Sequence, residues 1–394
     1  MHESLTFGLL VLCASGAALI AVQSHRLSER LRIPAPALFL AAAACVATWA
    51  PGVSRPELRT VERVVTVALV VILFDGGLHI GLGRFRQAAP TILALGVLGT
   101  FATVAGACVL VHLVLGTSWY VSLLLATAVA PTDPAVVFSV LGRREIEGRA
   151  GTVLEGESGA NDPVGIALMA ALLGAGSLSA GAVGDVAGTF VLQMLVGAAV
   201  GVLGGRLLLQ LMRRFVLPAE GLYAVRTLVA AGTVFGVAVV AHGSGFLAVF
   251  VAGIVIGDER APYKQEIERF HAALASLGEL VAFAYLGLTV DVRVLGHADV
   301  WLPGLVLGLL LAVVVRPLLN APLLVGSGLR RGERAFVLLS GLKGAVPLLL
   351  GSMLLHGPEG TRLYGVTVVV VMVSVLLQGG LVPTMARLLG VRMS

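Results

Sequence analysis

The chain has 394 residues, 58% of them hydrophobic and only 12% charged, with a mean hydropathy of +0.99 and a formal net charge of +5. An ordinary soluble domain carries roughly 25% charged residues. So few cannot cover a soluble surface, which excludes soluble enzymes and nucleic-acid binders despite the basic balance. One span and its loop take about 30 residues, so the length predicts a single all-α polytopic membrane domain of about thirteen transmembrane helices over 1–394, with no soluble regulatory domain.

In chain order, the apolar runs predict spans at 5–23, 34–50, 61–80, 90–115, 119–140, 151–175, 187–211, 222–241, 245–257, 272–290, 301–325, 334–355 and 363–388. The first lacks a basic leader segment and reads as a true span. The ninth is short enough to be tilted or partly re-entrant. Glycine is abundant, at 50 residues, as where membrane helices pack closely or break. Cys13, Cys45 and Cys108 lie in apolar runs without metal-ligand spacing and read as packing residues.

Basic residues sort by loop. Arg26, Arg30 and Arg32 follow span 1; Arg84 and Arg86 follow span 3; Arg143, Arg144 and Arg149 follow span 5. Arg213, Arg214 and Arg226 follow span 7; Arg260, Lys264 and Arg269 follow span 9; Arg330, Arg331 and Arg334 follow span 11. The intervening loops are nearly bare. The positive-inside rule therefore predicts an outside N-terminus and a cytoplasmic C-terminus. The loop after span 2, with Arg55, Arg59 and Arg63, is the exception. Tyr263–His271 reads as a cytoplasmic interfacial helix, and His79, His112 and His356 near span ends as surface residues.

A charge at the bilayer centre costs roughly 2.5–3.5 kcal/mol even on the lenient insertion scale. Eight candidates remain inside the predicted spans: Asp75, Asp133, Glu155, Glu157, Asp162, Glu279, Arg316 and Lys343. They must face one another or a wet cavity. Span 5 reads Ala126-Thr-Ala-Val-Ala-Pro-Thr-Asp-Pro134. Two prolines flank Thr132 and Asp133, each removing a backbone donor, so the helix is predicted to break there. Exposed carbonyls, a Thr hydroxyl and a carboxylate suit a hard cation; Asp133 is also a natural N-cap for the second half-helix. Span 6 carries Glu155-Gly-Glu-Ser-Gly-Ala-Asn-Asp162, in which Ser158 and Asp162 share a face. Desolvation favours the protonated form of a carboxylate, so a proton and a metal cation can compete for such a group. Span 12 is interrupted by Gly341-Leu-Lys-Gly-Ala-Val-Pro347 and carries Lys343, one of only two lysines. Paired interrupted helices point to an inverted-repeat transporter with a midplane site. Spans 5 and 12 are seven apart, an odd offset that gives them opposite orientations.

Ala130-Pro-Thr-Asp-Pro134, Glu155-Gly-Glu-Ser-Gly-Ala-Asn-Asp-Pro163, Gly341-Leu-Lys-Gly-Ala-Val-Pro347 and Leu73-Phe-Asp-Gly-Gly-Leu78 resemble the monovalent cation:proton antiporters, specifically the NhaP/CvrA-like branch of the sodium/proton exchanger superfamily with its Asn-Asp motif. The resemblance covers essentially the whole chain. It implies an inner (plasma) membrane homodimer that exchanges Na⁺ or K⁺ for H⁺ and contributes to pH homeostasis, without a cofactor. Asp162 would bind cation and proton in turn, with Asn161, Ser158, Thr132 and Asp133 shaping the site. Glu157 would pair with Arg316, and Lys343 would compensate the broken helix ends. The Asn-Asp form implies electroneutral one-for-one exchange. A core of about 90–175 and 301–388 would move against a scaffold of about 5–80 and 222–290, joined by a linker helix at about 187–211. Asp75, Glu155 and Glu279 are access-path candidates, Glu279 equally a scaffold residue. Lys343 stands where the branch often has Arg, keeping the charge without the fork geometry. The chain ends at Ser394, without the soluble region that CvrA-like members usually carry, which leaves regulation to a separate subunit.

Two rivals belong to other classes. Gly156-Glu-Ser-Gly159 and Ala241-His-Gly-Ser-Gly245 match rhomboid-protease patterns, with Ser158 and His242 as nucleophile and base. Against this, His242 falls at the bare end of span 8, far in depth from Ser158, and such a protease has no use for Asp133, Asp162 or Lys343. A passive cation channel would pass current without proton coupling.

Overall fold

A computed structural model describes residue 16 and residues 34–50, 55–141, 146, 148–177, 179–258, 263–357 and 359–393. The predicted first span, 5–23, and Arg26, Arg30, Arg32, Arg143, Arg144 and Arg260 therefore lie outside the described residues, apart from residue 16. Among the described residues the regular structure is helical, with no strand; one isolated bridge joins Ile146 to Met393.

The helices are α1 (Ala35–Trp49), α2 (Leu58–Leu93), α3 (Thr100–Leu115), α4 (Trp119–Val129), α5 (Pro134–Leu141) and α6 (Arg149–Ala175). They continue as α7 (Ala180–Arg214), α8 (Gly221–Val240), α9 (Gly245–Gly257), α10 (Lys264–Leu288), α11 (Val292–Leu295) and α12 (Ala298–Leu310). The last are α13 (Arg316–Asn320), α14 (Arg331–Leu339), α15 (Ala345–Met353), α16 (Gly360–Val373) and α17 (Gly379–Leu388). Among the described residues, 6 continuous helical stretches are long and apolar enough to cross a membrane. Wide π-turns at Ala94–Gly99, Leu311–Val315 and Ser374–Gln378 join α2 to α3, α12 to α13 and α16 to α17.

Three expectations are corrected. The loop predicted between spans 3 and 4 is helical. The turn is compressed into Gly81, at φ 64° and ψ 165°, and helix resumes at once. Only glycine takes this conformation without strain. The Asp258 carboxylate packs against Gly81 and accepts from Gly83 N, capping the restarted helix. The interfacial helix predicted at Tyr263–His271 is instead the first turns of α10, because no breaker separates it from the apolar run. His271 is fully buried there, its Nε2 2.8 Å from Thr227 Oγ1. His79 and His356 are exposed and His112 is half-buried. Cys108 is buried, but Cys45 is exposed and does not pack as expected.

Glycines set the close helix crossings. Gly77 on α2 lies against the backbone of α9 at Phe250, Gly253 and Ile254, and Gly253 and Gly257 lie against the α2 backbone in return. Small residues at such contacts replace the hydrophobic drive that lipid removes. α6 is buried along most of its 27 residues and forms the centre of the molecule.

Candidate functional site

Helix α4 stops at Val129 and α5 begins at Pro134; α14 stops at Leu339 and α15 begins at Ala345. The two non-helical stretches meet. Asp133 N donates to Leu342 O at 2.7 Å, so the interruptions are joined backbone to backbone. Four helix ends converge here, each with unpaired backbone groups that lipid cannot satisfy.

Side chains of matching charge take up these groups. The Asp133 carboxylate accepts from Ala135 N at 2.9 Å and also from the amides of Val136 and Ala345. One carboxylate thus caps the N-terminal ends of both α5 and α15, where helix dipoles favour negative charge. Lys343 is 4% exposed, and its Nζ donates to Ala130 O at 2.8 Å, at the C-terminal end of α4. Arg316 does the same for α14: Nε donates to Leu338 O at 3.1 Å and Nη2 to Val337 O at 3.5 Å. Its Nη2 also lies 2.8 Å from Glu157 Oε1 and 3.0 Å from Oε2, a pair buried on both sides. Gly341 and Gly344 make room, since a Cβ would collide with the Arg316 guanidinium at Gly341 and with the Asp133 carboxylate at Gly344.

α6 runs past the crossing. Asn161 Nδ2 donates to Thr132 Oγ1 at 2.8 Å, and Thr132 N reaches Asn161 Oδ1 at 3.4 Å. Ser158 and Asp162 are buried on the same helix, and Asp162 Oδ1 has no hydrogen-bond partner among the described residues. Asp162 lies within electrostatic range of both Asp133 and Lys343. No group of three His, Cys, Asp or Glu side chains suited to a tightly held metal occurs among the described residues.

Thr132, Asp133, Glu157, Asn161, Asp162, Arg316 and Lys343 are therefore brought together, and Ser158 is buried on α6 one turn before Asp162. Asp75 is not among them; it pairs with His79 at 3.4 Å, with Glu155 close enough to act on the same histidine. Glu279 sits on α10 within electrostatic range of Asp133, with Oε1 unpartnered. Ser158 and His242 do not form a buried dyad. Ser158 is buried and His242 exposed, at φ 60°, in the turn where Gly243 N donates to Ala238 O and Ser244 caps α9.

Sequence reasoning missed Ser374 and Gln378. Ser374 Oγ accepts from Lys343 N at 3.1 Å, and Gln378 Nε2 donates to Leu339 O. Two polar residues four apart in the otherwise apolar run of the last span were the available signal. Asn320 was missed as well; it reaches Thr103 Oγ1 at 3.4 Å between the first two π-turns.

The transmembrane profile of the sodium/hydrogen exchangers matches residues 15–388. The chain belongs to the sodium/hydrogen exchanger family. Within it, the chain is 34% identical over 327 residues to the K⁺/H⁺ antiporter NhaP of Alkalimonas amylolytica, covering 82% of this chain and 56% of the relative. It is 32% identical over 381 residues to the K⁺/H⁺ antiporter NhaP2 of Shewanella sp. (strain MR-4), covering 94% and 65%. The chain thus spans about three-fifths of the length of these relatives. The sodium proton antiporter MjNhaP1 from Methanocaldococcus jannaschii has the same fold, with a TM-score of 0.81 at 22% identity over 99% of this chain and 100% of that one.

Proposed function

We propose that this exchanger-family chain is a secondary antiporter, moving Na⁺ or K⁺ against H⁺ by alternating access, with Asp162 as the shared binding site. The observation that carries the reading is the buried, unpartnered Asp162 oxygen beside two joined helix interruptions. Carbonyls of the interrupted span, the Thr132 and Ser158 hydroxyls and the carboxylates supply oxygen ligands of the kind a hard cation takes. Asn161 holds Thr132 in place.

Charge arithmetic at the crossing supports one-for-one exchange. Asp133 and Asp162 contribute two negative charges and Lys343 one positive charge, while Glu157 and Arg316 cancel. The remaining single negative charge is neutralised by one monovalent cation or one proton, so either occupant leaves the same net charge to be carried through the membrane. Both occupants use the same carboxylate, so apparent cation affinity falls as pH drops.

The thirteen-span inverted repeat, with core at about 90–175 and 301–388 and scaffold at about 5–80 and 222–290, belongs to the same proposal. π-turns in spans 4 and 11 and interruptions in spans 5 and 12 share the seven-span offset. Gly81, held by Asp258, falls at the scaffold–core boundary and is the natural hinge. The protomers pair as homodimers in the plasma membrane, with the N-terminus outside and the C-terminus cytoplasmic.

Proteoliposomes with an imposed pH gradient test the reading. The native chain dissipates the gradient on addition of Na⁺ or K⁺, and Asp162→Asn does so at background rate. Normal transport by a folded Asp162→Asn chain overturns the assignment. Running the native chain with Na⁺, K⁺ and Li⁺, with and without valinomycin, gives selectivity and stoichiometry; exchange driven by membrane potential would overturn the one-for-one count.

A further inference from the structure

Arg226 on α8 lies away from the crossing, beneath the connection from α7. Its Nη1 donates to Phe215 O at 3.0 Å and Leu211 O at 3.5 Å, taking up carbonyls where α7 ends. Its guanidinium carbon sits 4.9 Å from the centre of the Tyr223 ring, and Tyr223 OH accepts from Leu217 N at 3.0 Å. The α7–α8 turn is built around this guanidinium–aromatic pair.

The other edge of the guanidinium is different. Nε and Nη2 both lie beneath the surface, and neither meets a hydrogen-bond partner. These two N–H groups form the side fork, the edge that grips a carboxylate or phosphate through two parallel bonds. A buried cationic donor without an acceptor is costly, so the fork calls for an anion.

The surroundings favour one kind of anion. Arg213 and Arg214 occupy the last turn of α7 and are exposed. Phe215 and Val216, immediately after them, are 59% and 85% exposed. α7 itself is apolar, with only 11% of its membrane-length window buried inside the protein, so its flank belongs to acyl chains. Exposed arginines beside exposed apolar side chains, at the end of a lipid-facing helix, match the two halves of an acidic phospholipid.

We infer that Arg226, Arg213 and Arg214 bind the phosphate of an acidic phospholipid at the α7–α8 turn. The Arg226 fork grips the phosphate, the two exposed arginines add attraction at the rim, and the acyl chains lie along α7 beside Phe215 and Val216. The fork lies beneath the surface, so binding requires the exposed Phe215 and Val216 to move aside while Leu217 stays packed. This site is independent of the transport reading and stands or falls separately.

The full chain, purified in detergent, is titrated with phosphatidylglycerol, phosphatidylcholine or inorganic phosphate. Thermal midpoint and lipid retention in native mass spectrometry are the readouts. Phosphatidylglycerol raises the midpoint and is retained; phosphatidylcholine and inorganic phosphate do neither. Arg226→Lys keeps the charge but loses the fork, and weakens apparent phosphatidylglycerol affinity at least tenfold. The double variant Arg213→Gln/Arg214→Gln weakens it severalfold and flattens its salt dependence. The inference fails if phosphatidylcholine stabilises equally, if inorganic phosphate alone reproduces the shift, or if Arg226→Lys binds as the native chain does. Should Arg226→Lys not fold, the double variant decides, and native affinity there overturns the proposal.

Discussion

At the residue scale, the charged side chains of the crossing work chiefly as helix caps. Lys343 and Arg316 hold the carbonyl ends of α4 and α14, and Asp133 holds the amide ends of α5 and α15. Lys343→Met leaves the α4 terminus unpaired in a low-dielectric interior, where a lost charged hydrogen bond costs about 1.5–3 kcal/mol. The expected result is a lower thermal midpoint together with at least tenfold slower exchange, measured in detergent and in proteoliposomes. Lys343→Arg retains the charge and recovers part of both. The Glu157–Arg316 pair behaves asymmetrically. Arg316→Ala strands a buried carboxylate, at about 3–5 kcal/mol, and also frees the Val337 and Leu338 carbonyls. Glu157→Gln keeps an acceptor for Arg316 and removes no cap. Arg316→Ala should therefore reduce folded yield far more than Glu157→Gln, as read by size-exclusion chromatography; equal yields would contradict the capping role.

At the element scale, the glycines at the second interruption are as necessary as the charges. A methyl group at Gly344 meets the Asp133 carboxylate, and one at Gly341 meets the Arg316 guanidinium. Neither obstacle is the loose end of a surface side chain, because each is fixed by hydrogen bonds. Gly344→Ala displaces Asp133 from two helix termini at once. Its expected effect is a tenfold or greater loss of exchange, whereas Gly174→Ala, whose Cβ meets nothing within 4 Å, leaves transport unchanged. Prolines and motif spacing exposed the first interruption in the sequence. The second was legible as Gly341-Leu-Lys-Gly344, but not its hydrogen bond to the first, because that contact joins Asp133 to Leu342 across the fold. Gly81 was illegible for the opposite reason. A one-residue turn leaves no polar loop, and its cap, Asp258, comes from a distant helix end.

At the scale of the whole molecule, the basic loop after span 2 acquires a physical account. Arg55 Nη2 lies 2.9 Å from Asp291 Oδ2, and Val292 N donates to Thr48 Oγ1 at 3.1 Å. These contacts fasten the end of α1 to the α10–α11 connection at one end of the molecule. The hydrogen bond from Arg55 holds the Asp291 carboxyl below the usual carboxylate range. A depressed folded-state pKa adds stability above the unfolded carboxylate value, near 3.9, and that contribution is lost as pH falls through the folded value. Both side chains are solvent-accessible, so the contribution is small, about 0.2–1 kcal/mol. Asp291→Asn is expected to lower the thermal midpoint slightly at pH 7, and the deficit shrinks progressively as pH falls below the unfolded carboxylate value, near 3.9. A deficit that persists undiminished in acid would mean the pair is not its source.

The sequence by itself determined the membrane class, the family motifs and the side chains gathered at the crossing. Charge is so rare in this chain that each intramembrane ionisable group is expensive, and cost makes a residue legible without any coordinates. Only the tertiary structure decided which terminus each charge serves. It seats Asp133 on two helices, Lys343 on α4, Arg316 on α14 and Glu157, and Ser374 under Lys343. Unpaired backbone groups in lipid must be satisfied by whatever lies within about 3 Å, and nearness between residues 130 and 343 is a property of the folded chain alone.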